Sequence, residues 1–81
     1  MNKTIIELTD SERLVLFEFL SRIIDDEYDK YRGFLFDDIS EEEVLCIIKC
    51  QLEKIMVEPN YSNYHEILLT AREEIRKKYG Q

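Results

Sequence analysis

Apolar residues recur at three- and four-residue steps along most of this chain, and the polar positions between them follow the same period. From about Asp10, Leu16, Phe17, Phe19, Leu20, Ile23 and Ile24 fall on one broad helical face, and Glu18, Ser21, Arg22 and Asp25 on the opposite one. Leu14 falls on the polar strip, out of pattern. Tyr28 and Tyr31 continue the spacing, which extends this first helix to Arg32. Gly33 is then the left-handed C-cap residue and Phe34 its hydrophobic contact. A stop near Ile24, followed by an acidic loop, is the alternative.

A second helix is expected from about Glu41 to Val57, with Val44, Leu45, Ile48, Leu52, Ile55 and Met56 on its main face. Cys46, Cys50 and Val57 lie opposite, so this helix reads as apolar nearly all round. Such a helix is usually central and covered on both sides. Pro59 ends it, because the residue before a proline is driven toward extended geometry. A third helix begins near Asn60 or Ser62, with Tyr61, Tyr64, Leu68, Ala71, Ile75 and Tyr79 in step. Glu73 and Glu74 precede Lys77 and Lys78 by four, the favourable order for helical ion pairs. Gly80 closes it. The opening "TIIEL" either lies extended across the helices or pairs as a strand with "FLF".

Two capping boxes mark helix starts. In "TDSE" the Thr9 hydroxyl accepts from the Glu12 N–H while Glu12 reaches back; "SEEE", from Ser40 to Glu43, repeats the device. Only two glycines and one proline occur in 81 residues, too few turn formers for a sandwich or barrel. The fold class expected is all-α: one domain over residues 1–81, a compact three- or four-helix bundle.

Charge changes the picture. Between Asp25 and Glu43 stand nine acids and two bases, a net of −7, which is the whole excess of the chain; elsewhere nine acids balance nine bases. Phosphates repel such a molecule, so neither nucleic acid nor an anionic membrane is an expected partner, whereas a basic protein is. Asp25, Asp26, Glu27, Asp29, Asp37 and Asp38 would steer it in. Tyr28 and Tyr31 among them would anchor it, since binding hot spots favour aromatic side chains.

Other chemistry finds little footing. An EF-hand frame from Asp25 puts Lys30 at the glycine turn and Phe36 at the bidentate glutamate position. Cys46 and Cys50 supply half of a zinc site, and His65 stands on another helix without a partner motif. Both cysteines read as small apolar residues beneath a neighbouring element. His65 and Glu66 are adjacent on a helix and do not face each other. No metal, cofactor or catalytic residue is expected, and the chain is read as not an enzyme. Paucity of cysteine, no apolar run of membrane-spanning length, and Glu7 and Asp10 near the start together point to the cytoplasm.

The order "LTDSERLVLFEFLSR", then "CQLEKIMVEPNYSNYHEILLTAREEIR", resembles small uncharacterised bacterial proteins in which a capped "LF" helix precedes one ending in "EP" and a charged third. The resemblance covers about half of the chain; it implies a bacterial source and a helical fold, and no activity. In size, acidity and helical content the chain is also similar to immunity proteins that neutralise bacterial nuclease toxins. The leading expectation is therefore a small acidic protein-binding protein, an immunity protein or inhibitor. The rival is a homodimer formed through the second face of helix two and Leu14.

Overall fold

The computed structural model describes residues 2–25 and 36–80, which form three α-helices, one short 3-10 turn and no strand. Helix α1 spans Asp10–Asp25, α2 spans Ile39–Glu53 and α3 spans Tyr64–Lys78; Glu58–Asn60 makes the 3-10 turn. The all-α bundle expected from the sequence is the fold. Asp26, Glu27, Tyr28, Asp29, Tyr31, the extension to Arg32 and the Gly33 cap lie outside the described residues.

Helix α1 starts where the pattern places it. The Glu12 N–H donates to Thr9 Oγ1 at 3.1 Å, and the Thr9 N–H donates to Glu12 Oε1 at 2.8 Å. Two donors at the helix start are thus satisfied reciprocally. The backbone hydrogen bond from Thr9, ahead of the nearby Lys78 charge, holds the Glu12 carboxyl below its ordinary value.

The central helix is α1, not the second. Helices α2 and α3 lie on either side of α1 and pack mainly on it. The pairs Ser11–Glu74 and Glu18–Tyr64 set α3 antiparallel to α1, and the Arg13–Glu58 contact brings the chain after α2 back beside the start of α1. Serving two neighbours widens the covered arc of α1. Leu14 is 2% exposed and Leu20 1%, the two most deeply buried large side chains described. The part of the polar strip from Leu14 to Glu18 faces α3 rather than water. Glu18, one turn on, is half-buried there and accepts from the Tyr64 hydroxyl at 2.9 Å. The anomaly at Leu14 is therefore the contact point with α3, lined by Ile67 and Ala71. Phe19, expected inside, is about half exposed with the Arg22 guanidinium 5.9 Å from its ring centre.

Around α1 the core gathers Leu14, Leu20, Leu52, Met56, Leu68 and Ala71, with Leu45, Ile48, Tyr64 and Ile67 partly buried against it. Each fully buried leucine stabilises the fold by about 1.5–3 kcal/mol relative to exposure.

Helix α2 begins and ends earlier than its pattern implied. Its N-cap is Asp38, whose carboxylate accepts from the Ser40 N–H at 2.9 Å, while Glu41 accepts from the Asp37 N–H at 2.8 Å. The cap is therefore Asp38 and not Ser40, and the reciprocal bonds expected of "SEEE" give way to these two. At the other end the Ile55 and Met56 N–H groups both turn back to the Leu52 carbonyl, at 3.0 and 3.1 Å. This turn sends Met56 into the core and leaves Ile55 and Val57 in solvent.

Helix α3 starts at Tyr64 because Glu58–Asn60 takes up the chain first. Tyr61 and Tyr79, expected on the buried stripe, are exposed; one precedes the helix and the other caps it. Gly80, with φ of 75°, supplies the left-handed residue after the helix. Of the two ion pairs expected on α3, Glu73–Lys77 forms at 3.4 Å. Glu74 instead accepts from the Ser11 hydroxyl, and Lys78 reaches Glu12 at 3.5 Å. The N-terminal arm is neither helix nor strand, and Ile5 and Ile6 stand in solvent.

Candidate interaction surface on the second helix

Five acids and no base occupy residues 37 to 43: Asp37, Asp38, Glu41, Glu42 and Glu43. The fold places all five at the N-terminal end of α2, where the partial positive charge of the helix dipole favours anions. Part of this acidity is structural. Hydrogen bonds from the Ser40 side chain, then from its backbone N–H, hold the Asp38 carboxyl below its ordinary value. Asp37 and Asp38 are nevertheless exposed, as are Glu41 and Glu43.

Among these carboxylates stands Ile39, 71% exposed. An exposed apolar side chain between acids in the chain was not among the residues the acidic stretch suggested. Its signal was available, because Asp38, Ile39 and the following acids are contiguous.

Of the eight residues proposed for partner binding, Asp37 and Asp38 are brought together at this helix start. Asp25 is the last residue of α1. The antiparallel course of α1 and α2 leaves that end of α1 on the side of the molecule where α2 begins. Asp26, Glu27, Tyr28, Asp29 and Tyr31 fall in the segment outside the described residues.

The apolar exposure continues down α2. Its inner side presents Leu45, Ile48 and Leu52 to α1, whereas Val44 and Ile47 are 53% and 55% exposed. Cys50 is exposed and Cys46 half-buried, so the expectation that both lie beneath a neighbouring element holds for neither in full. The near-continuous apolar surface of α2 was legible, but one side of it is bare among the described residues. Ile39, Glu43, Ile47, Cys50 and Lys54, each three or four residues from the next, form a single outer ridge.

A second concavity lies between the start of α1, the 3-10 turn and α3. It is a groove of about 340 Å³ with Leu14, Ile67 and Ala71 on its floor and Asp10, Glu58 and Glu74 at its rim. Its acids are largely engaged within the chain. Arg13 pairs with Asp10 at 3.5 Å and Glu58 at 3.2 Å, and Glu74 accepts from Ser11. Glu58 is held below the usual carboxylate range by backbone hydrogen bonds, its own N–H first, with Arg13 adding to them. These contacts lock the turn onto α1 and give the groove a structural role.

His65 is exposed in the first turn of α3. Among the described residues no group of three His, Cys, Asp or Glu side chains is placed to hold a metal ion. No described helix is long and apolar enough to cross a membrane. Compared with known families, curated proteins and solved structures, the chain finds no match.

Proposed function

We propose that this chain is a small acidic protein-binding protein whose partner is a basic protein. The observation that supports the reading is Ile39, bare and flanked along the chain by the five acids at the start of α2. An exposed apolar side chain supplies contact energy only when another surface covers it, and the carboxylates around it select a cationic surface for that role. Such a field also accelerates encounter, toward about 10⁸–10⁹ M⁻¹s⁻¹ at low salt. The anchor is thus Ile39, with Asp37, Asp38, Glu41 and Glu43 steering. In its more specific form the reading is an immunity protein or inhibitor that neutralises a basic bacterial toxin or enzyme in the cytoplasm.

Affinity capture with the immobilised chain tests it. Wild type retains a basic protein at low salt and releases it at high salt; Ile39→Asp retains none at either. Retention that ignores both salt and the Ile39 substitution would overturn the proposal.

A second reading is self-association through α2, favoured by the bare Ile47 and Cys50 below the acidic end. Leu14 belongs to the core and takes no part in such an interface. Sedimentation velocity over a concentration series separates the two readings, because only self-association depends on the concentration of this chain alone.

A further inference from the structure

We infer that the outer ridge of α2 pairs with the same ridge of a second copy, the two helices running antiparallel about a twofold axis between Ile47 and Cys50. The inference rests on the second reading above, self-association through α2, and adds its geometry. In an isologous pair every contact occurs twice, so the ridge must complement itself when reversed. Along the ridge Ile47 and Cys50 lie at the middle, flanked by Glu43 on one side and Lys54 on the other. At a rise of 1.5 Å per residue, Glu43 and Lys54 are about 16 Å apart along the axis. Reversal about the midpoint of this interval brings Glu43 opposite Lys54 of the second copy, twice. It also brings Ile47 opposite Cys50 of the second copy, twice.

The two charged residues are free to do this. Neither Glu43 nor Lys54 has an ion partner among the described residues, whereas the neighbouring Lys49 is already committed to Glu53 at 2.8 Å. Ile47 is 55% exposed and Cys50 is exposed, so the centre of the seam is apolar and bare.

Parallel pairing is excluded by the same residues. It would set Glu43 against Glu43 and Lys54 against Lys54, and would stack two five-acid helix starts side by side. The antiparallel pair keeps those starts at opposite ends of the dimer. Each remains open beside its own Ile39, so self-pairing and capture of a basic protein share Glu43 alone among the residues named for either.

The test is sedimentation equilibrium at low salt on wild type, Glu43→Lys, Lys54→Glu, the double variant carrying both reversals, and Ile47→Glu. Circular dichroism confirms that each retains its helices; all three positions are exposed. Wild type is expected to dimerise and Ile47→Glu to be monomeric. Each single reversal weakens dimerisation about tenfold by turning two attractions into two repulsions, and the double variant returns to within about threefold of wild type. Bulk charge predicts the opposite for Glu43→Lys, which takes the net charge from −7 to −5 and would by itself favour association. A wild type that is monomeric at every concentration overturns self-association itself. Dimers that tolerate Ile47→Glu, or whose single reversals are not rescued by the double variant, overturn the antiparallel seam while leaving self-association standing.

Discussion

The hydroxyl of Tyr64, in the first turn of α3, donates to Glu18 Oε1 in the middle of α1 at 2.9 Å. The two residues are forty-six positions apart, and both ends of the bond are partly buried. Burial, then the hydrogen bond and the negative charge of Glu18, pushes the phenol well above its ordinary value. Glu18 also faces Arg22 at 3.9 Å, so the carboxylate remains paired if the phenol is removed. Tyr64→Phe should therefore cost only about 1 kcal/mol in urea denaturation. A double-mutant cycle with Glu18→Gln should return a coupling of about 0.5–1.5 kcal/mol; a coupling near zero would mean the bond does not hold α3 to α1 in solution.

Leu14 separates the observed core from the one periodicity alone suggests. At 2% exposure against α3, its truncation to alanine should cost about 2–5 kcal/mol, with an excess for the void. Phe19→Ala, on the half-exposed flank, should cost under about 1 kcal/mol. Chemical denaturation ranks the two directly, and the reverse order would restore Leu14 to the surface.

The capping box at the start of α1 predicts a pH dependence. Thr9→Ala should cost about 1 kcal/mol near neutral pH, since a helix-start N–H loses its acceptor. The Glu12 carboxyl is depressed in the folded chain, so its contribution is fully present above the unfolded value and is lost as pH falls through the lower folded one. Stability of wild type should fall on acidification below the ordinary carboxylate value near 4.5. Glu12→Gln, which cannot take up that proton, should show a shallower fall in thermal melts over the same range. Parallel curves would remove Glu12 from the account.

The two thiols should react unequally. Cys50 is exposed on the outer ridge of α2, whereas Cys46 is half-buried. A chromogenic disulfide reagent added to the dilute native chain should modify Cys50 several-fold faster than Cys46, with the rates converging in denaturant. Peptide mapping after a short exposure identifies the site; equal native rates would contradict the orientation of α2.

Local features were readable to the residue where the chemistry is local. The Thr9–Glu12 box needs only side chains three apart, and the structure contains it as spelled. At the start of α2 the cap falls two residues before the Ser40 that "SEEE" implied, because Asp38 adopts the extended backbone an N-cap requires. The apolar ring around α2 was equally legible. What periodicity could not say was which of two amphipathic helices would be sandwiched. An all-round apolar helix and a helix with one misplaced leucine differ little as strings, and here the second is the central one.

The order of residues alone settled the helical class, the cap at Thr9 and the concentration of acids ahead of Val44, because each depends on neighbours within one or two turns. Packing decided the rest. Antiparallel docking of α3 turned the Leu14–Glu18 strip from a water-facing edge into a contact, since Leu14 packs in one cluster with Ala71 and Ile67 and Tyr64 satisfies the carboxylate. Both of the other helices then lean on α1, and the outer side of α2 is left with nothing described against it. That bare ridge could not be read in advance, because exposure of an isoleucine is a property of what fails to arrive beside it.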